Sequence, residues 1–246
     1  YEPQQLGERF VRWFTQGEWS ARGHCFDIGI ATRSALHRIE QGTPALEAGE
    51  NGEYSNGNGS LMRILPLAFT LLNEVNQVKR FEDVREVARV THGHIRSAMG
   101  SFFFVEIVRQ LLRGLDKHEA YRVARLETAE FLVGLPAPAH ELDLYHRVLF
   151  QNIAELPEAE IYSSGYVIHT LEAALWSFLT TNTFRDATLR AVNLGDDTDT
   201  VAALTGGLAG IAYGPKSIPA PWLKVLARLD DIRDLARRFA DWLQTV

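Results

Sequence analysis

Leu6-Gly7-Glu8-Arg9-Phe10-Val11-Arg12-Trp13-Phe14 sets Leu6, Phe10, Val11 and Phe14 at i, i+4, i+5 and i+8. That spacing is one face of a helix of 3.6 residues per turn, with Glu8, Arg9 and Arg12 around it. Gly17 ends the segment. The same period predicts a helix over Ile30–Ile39 that stops at Gly42, then helices over Leu61–Leu72, Phe81–Val90, Ile95–Leu112 and Lys117–Leu132. It continues through Val167–Leu179, Arg185–Val192, Val201–Ala212 and Trp222–Leu243. Alternating strand patterns bounded by hairpin turns are essentially missing. The chain reads as all-α, a compact multi-helix fold.

Its 246 residues suffice to bury a substantial core. Hydrophobic residues at 46% and charged residues at 23% are the proportions of an ordinary globule, which excludes disorder as a reading of the whole. A formal net charge of −6 argues against a nucleic-acid backbone or an anionic membrane surface as main partner. The single cysteine, Cys25, excludes an internal disulfide and a Cys-rich zinc site, and it suits the cytoplasm. No apolar stretch approaches the ~20 residues of a membrane span. A Pro-rich turn, Leu135-Pro136-Ala137-Pro138, carries no shift in composition. A single domain over residues 1–246 is expected.

Chemistry concentrates in two segments. Asn193-Leu194-Gly195-Asp196-Asp197-Thr198-Asp199-Thr200 places three carboxylates within four positions, where they repel one another. On a turn after a helix, Asp197 and Asp199 point to one side with the Thr200 hydroxyl beside them. Such hard oxygens are what Mg²⁺ or Ca²⁺ prefers. The competing reading is a helix N-cap, for which one such residue suffices. The second segment is Tyr54-Ser55-Asn56-Gly57-Asn58-Gly59-Ser60-Leu61-Met62-Arg63. Gly57 and Gly59 are expected to take φ > 0 and let backbone approach a ligand. A helix starting at about Ser60 would receive a diphosphate. Taken alone, the segment is also read as a plain Asn/Gly turn.

The histidines are weaker signals. His92 and His94 are each read as a phosphate contact or a surface residue. His140, Glu141 and His146 lack zinc-protease spacing. His169 and Glu172 are half of a reversed di-iron motif with no partner.

In order along the chain, Phe26-Asp27-Ile28-Gly29, Ser55-Asn56-Gly57-Asn58-Gly59 with Met62-Arg63, Thr91-His92 and Ser164-Gly165-Tyr166-Val167 are followed by Gly195-Asp196-Asp197-Thr198-Asp199-Thr200 with Gly207, Gly210, Tyr213-Gly214 and Pro219. This set resembles the ADP-ribosylglycohydrolase family. The resemblance implies an all-α domain that holds two Mg²⁺ ions, or Mn²⁺, and hydrolyses the bond between ADP-ribose and a modified protein or small molecule. It implies Asp197, Asp199 and Thr200 as metal ligands, with Asp197 and Asp199 acting in catalysis through the metal. It assigns Ser55, Asn56, Gly57, Asn58, Gly59 and His92 to the substrate, with Tyr166 lining the cleft. The family also carries an early Thr-Asp-Asp cluster that nothing between Tyr1 and Gly23 matches. The domain is therefore expected to be N-terminally incomplete, with its general base outside this chain. The alternative is a non-catalytic relative that keeps the fold for ADP-ribose binding or for structure.

Overall fold

The computed structural model describes residues 2–136 and 139–245, so Ala137 and Pro138 of the Pro-rich turn lie outside it. Among the described residues the helices are α1 (Pro3–Gln16), α2 (Ile30–Glu40), α3 (Ala45–Ala48), α4 (Leu67–Thr70), α5 (Gln77–Arg89), α6 (Ile95–Leu112) and α7 (Lys117–Val133). They continue as α8 (Ala139–Asp143), α9 (His146–Leu149), α10 (Val167–Leu179), α11 (Phe184–Asn193), α12 (Thr198–Tyr213), α13 (Ala220–Val225) and α14 (Leu229–Leu243). There is no sheet among these residues; strand-like pairing is limited to two isolated bridges, Glu50–His92 and Gly57–Tyr166. The all-α expectation holds.

Two helices form the centre. Every residue of α6 from Arg96 to Leu111 is buried, and so is α10 apart from His169. A helix covered on all sides cannot be amphipathic, and both sequences are apolar around most of their circumference. α5 and α7 flank α6, while α11 and α12 flank α10. A smaller cluster of Ala35, Leu36, Ile39, Ala45, Ala48 and Val90 is covered by Leu6, Phe10, Val11, Trp13 and Phe14 of α1. The opening stretch thus buries the face that its period indicates. Inside α6, Glu106 accepts hydrogen bonds from both Arg80 and Arg109, and Arg109 also donates to the carbonyls of Leu71, Leu72 and Glu74. Such a network keeps buried charges tolerable by pairing them and giving most donors a partner.

Two expected helices are broken. Leu61–Leu72 is a 3-10 turn at Leu61–Arg63 followed by α4, because Pro66 lacks an N–H and clashes with the preceding turn. Trp222–Leu243 is split into α13 and α14 by Arg228, whose φ of 58° is left-handed. Its guanidinium lies 4.7 Å from the Trp19 ring centroid. Conversely, α12 starts at Thr198 rather than Val201, so Asp199 and Thr200 stand in its first turn.

Candidate active site

Four segments meet at one place: the Gly/Asn loop, the Thr91–Ser97 junction, the Ser163–Val167 turn and the acidic turn before α12. The Gly/Asn loop lies against Ser163–Val167 as a short antiparallel bridge. Asn58 N donates to Gly165 O at 2.9 Å and Val167 N donates to Asn56 O at 3.0 Å. Asn58 Nδ2 then donates to Thr170 Oγ1 at 2.8 Å and to Asp197 Oδ2 at 2.5 Å. The two segments that carry most of the sequence signal, 139 positions apart, are therefore in direct contact.

The acidic turn is made by Gly195 at φ 85° and Asp196 at φ 58°. Asp is among the few side chains that tolerate this region. Asp197 N donates to Ser163 O at 3.1 Å and Ser163 Oγ donates to Gly195 O at 3.0 Å, which ties the turn to the neighbouring wall. Asp197 occupies the N-cap position of α12, yet its carboxylate makes no capping hydrogen bond. It faces Asn58, Asp199 and Thr200 instead. Burial pushes its carboxyl above the ordinary range; Asn58 and Thr200 oppose that shift, while the Asp199 carboxyl adds to it. Two carboxylates this close disfavour each other's charge, and a dication would reverse that penalty. The donors present, two carboxylates and a hydroxyl, fit a hard ion such as Mg²⁺ in kind. Among the described residues, though, no group of three or more His, Cys, Asp or Glu side chains is placed to hold a metal.

His92 is a buried residue, only 2% exposed, which overturns the surface reading. Burial, with the Arg63 cation beside it, drives its pKa down to about 3, so the imidazole is neutral. Nδ1 lies 2.8 Å from Thr91 Oγ1, leaving Nε2 toward the glycine loop, 3.6 Å from where a Cβ on Gly57 would stand. Arg63 donates to Gly59 O and Thr91 Oγ1, fixing the loop to this junction.

The expectation of φ > 0 at Gly57 and Gly59 is wrong, since neither takes a left-handed conformation. Gly57 is in the extended bridge with Tyr166. Gly59 is needed for space, because a Cβ there would meet His92 Cε1 at 2.8 Å and Thr32 Oγ1 at 2.9 Å. Nor does an α-helix begin at Ser60: only one 3-10 turn follows, and the Ser60 side chain does not cap it. The helix-dipole argument for a diphosphate loses its basis there.

The remaining loop side chains differ in what they are available to do. Asn56 is buried, with Oδ1 accepting from Ser97 Oγ at 3.0 Å and Nδ2 donating to Glu53 O at 2.8 Å. Ser55 Oγ donates to Glu50 Oε2 at 2.6 Å, and this bond, with Arg38, lowers the Glu50 carboxyl. Tyr166 is half-buried, edge-on to His169 at 5.1 Å. Thr170, Thr32 and Ser163 went unnoticed in the sequence, because a lone hydroxyl in an apolar helix or at a loop end carries no pattern. The weaker motifs dissolve: Glu141 pairs with Arg96, and Glu172 with Arg147 at 3.4 Å. A separate cleft of about 450 Å³ between Leu115 and Tyr213 contains Lys117, whose ammonium is occupied by carbonyls at the end of α10.

The chain matches the ADP-ribosylglycohydrolase family over residues 1–245 and belongs to that family. It is 37% identical over 235 residues to the ADP-ribosylarginine hydrolase Tri1 of Serratia proteamaculans (strain 568), covering 94% of this chain and 59% of the relative. It is 30% identical over 201 residues to the ADP-ribosyl-[dinitrogen reductase] glycohydrolase of Rhodospirillum rubrum, covering 81% and 60%. The chain thus spans about three-fifths of the length of these curated relatives. A solved ADP-ribosylglycohydrolase-related protein complex superposes with a TM-score of 0.75 at 32% identity, covering 97% of this chain and 74% of that one. Among the described residues no helix is long and apolar enough to cross a membrane.

Proposed function

We propose that residues 1–246 form one ADP-ribosylglycohydrolase-like domain that takes part in Mg²⁺-dependent hydrolysis of the glycosidic bond between ADP-ribose and a modified protein or small molecule. The observation that carries this reading is the contact between Asn58 and Asp197. It sets the Gly/Asn loop, with its polar side chains, beside two carboxylates suited to a hard cation. The names of the relatives, which act on ADP-ribosylarginine and on ADP-ribosyl-dinitrogen reductase, support the same substrate class.

In this reading Asp197, Asp199 and Thr200 would hold Mg²⁺ or Mn²⁺, with substrate and water in the remaining positions. A bound dication supplies charge for orienting ribose hydroxyls and for acidifying water. Gly57 and Gly59 let the loop pack closely on neutral, buried His92, which would support from within the loop that the diphosphate meets. Asn58 holds Asp197 in place through Nδ2. Ser55 and Asn56 brace the loop from within. A cytoplasmic setting suits the single, unpaired Cys25.

One observation favours the rival, an ADP-ribose binder without turnover: only two acidic side chains approach each other at the turn. Titration calorimetry with Mg²⁺ and ADP-ribose, alongside an assay for released ADP-ribose, tests both. Asp197→Asn is expected to lower Mg²⁺ affinity at least tenfold with helicity unchanged, since it keeps shape and removes charge. A plain helix cap predicts equal affinity, because Asn caps about as well as Asp. Equal affinity overturns the metal assignment; binding with no released ADP-ribose selects the rival.

A further inference from the structure

We propose that Arg96 is a positioning residue of the candidate active site, aimed by Glu141 so that it holds Tyr166 in place. The proposal rests on the ADP-ribose reading given above. Arg96 lies in the first turn of α6 and is 5% exposed. Its Nε and Nη2 each donate to one oxygen of Glu141 at 2.8 Å, in a fork-to-fork pair. Glu141 is itself buried, and its Oε1 lies 3.1 Å from His140 Nε2. The Arg96 carbonyl accepts from Tyr145 Oη at 2.5 Å, which fixes the backbone as well.

What the pair presents outward is a guanidinium of set plane. It hydrogen-bonds the Tyr166 side chain, with its carbon 5.8 Å from the ring centroid, and Nη2 lies 3.6 Å from Glu53 Oε1. Tyr166 belongs to the Ser163–Val167 turn and Glu53 leads into the Gly/Asn loop bridged to it. Arg96 touches both. The next residue, Ser97, supports Asn56 from below. On its other sides Tyr166 packs against the core and meets the edge of His169, whose Nδ1 is 2.8 Å from Ser164 Oγ. A buried bidentate pair is a poor source of net stability, because apolar residues of equal volume serve as well. What it supplies is direction, which a planar fork gives and a lysine does not.

The test is ADP-ribose affinity of the full chain by calorimetry, for the wild type, Arg96→Lys, Tyr166→Leu, Tyr166→Phe and the double variant Arg96→Lys/Tyr166→Leu. Arg96→Lys and Tyr166→Leu are each expected to weaken binding about tenfold, as displaced positioning groups do. Tyr166→Phe, which keeps the ring and loses the hydrogen bond from Arg96, should weaken binding by less than Tyr166→Leu, and the double variant should be no weaker than Tyr166→Leu, because the two residues act as one unit. Mg²⁺ affinity should not move. Additive losses, or a parallel fall in Mg²⁺ affinity, indicate a merely structural residue and overturn the proposal. If Arg96→Lys fails to fold, Tyr166→Leu decides, and unchanged affinity there overturns it too. A wild type that does not bind ADP-ribose overturns the proposed function and this role together. A wild type that binds no better than Arg96→Lys overturns the role alone.

Discussion

Replacing Gly59 with alanine separates two physical accounts of the glycine loop. If glycine were needed for a left-handed backbone, Gly57 and Gly59 would be equally intolerant, but neither is left-handed. A Cβ on Gly59 would sit 2.8 Å from His92 Cε1 and 2.9 Å from Thr32 Oγ1. Carbon atoms at rest prefer about 3.5–4.0 Å, so the imidazole would have to move by roughly 0.7 Å. Its ring is buried and tethered to Thr91 at 2.8 Å, and that displacement can stretch the tether to the limit of hydrogen-bond range. Overpacking of about 1–3 kcal/mol and loss of a bond of about 1 kcal/mol give a cost of roughly 2–4 kcal/mol. For a chain of this length that lowers the melting temperature by roughly 5–15 °C. Gly57→Ala meets only ordinary contacts, 3.6 Å to His92 Nε2 and 3.7 Å to Gly165 O, and should stay within about 1 kcal/mol of wild type. Denaturant titration of both variants, with thermal melts, gives the comparison. Equal losses, or a Gly59→Ala chain as stable as wild type, would refute the steric account.

Two pH responses follow from buried groups. The folded chain holds His92 neutral down to about 3 against an ordinary 6.5, so the unfolded chain binds a proton that the folded one refuses. Stability from this residue is complete above pH 6.5 and falls as pH drops toward 3, by up to about 5 kcal/mol; His92→Gln should flatten that slope in urea titrations across the same range. Glu172 runs the other way, raised by burial to about 7 from 4.5 although Arg147 opposes the shift. Its folded form keeps a proton that the unfolded form releases, so stability falls as pH rises from 4.5 to 7. Glu172→Gln should stabilise the chain at pH 8 by up to about 3 kcal/mol and make little difference near pH 4; a destabilised variant at pH 8 would count against this.

Helix class and most helix positions were readable because apolar period is a local property. Ile95–Leu112 and Val167–Leu179 coincide with α6 and α10 to the residue. The expected continuous helices over Leu61–Leu72 and Trp222–Leu243 failed for different reasons. Pro66 breaks the first locally, whereas the turn at Arg228 is accompanied by a contact with Trp19, more than two hundred residues away in sequence. The acidic turn and the Gly/Asn loop announced themselves as crowded carboxylates and clustered small polar residues, patterns that serve no helix. Their meeting was not written in either segment. The acidic turn could be read alone as a helix cap, and only the packed chain shows the Asp197 carboxylate turned from the cap toward Asn58. Likewise a histidine in a loop reads as exposed until the glycine loop closes over it. The reason Gly59 must be glycine lies in His92 and Thr32, which sequence sets far from it. Periodicity is fixed by neighbours along the chain. Desolvation, close approach and the aim of a charged side chain are fixed by neighbours in space, and these only the tertiary structure decides.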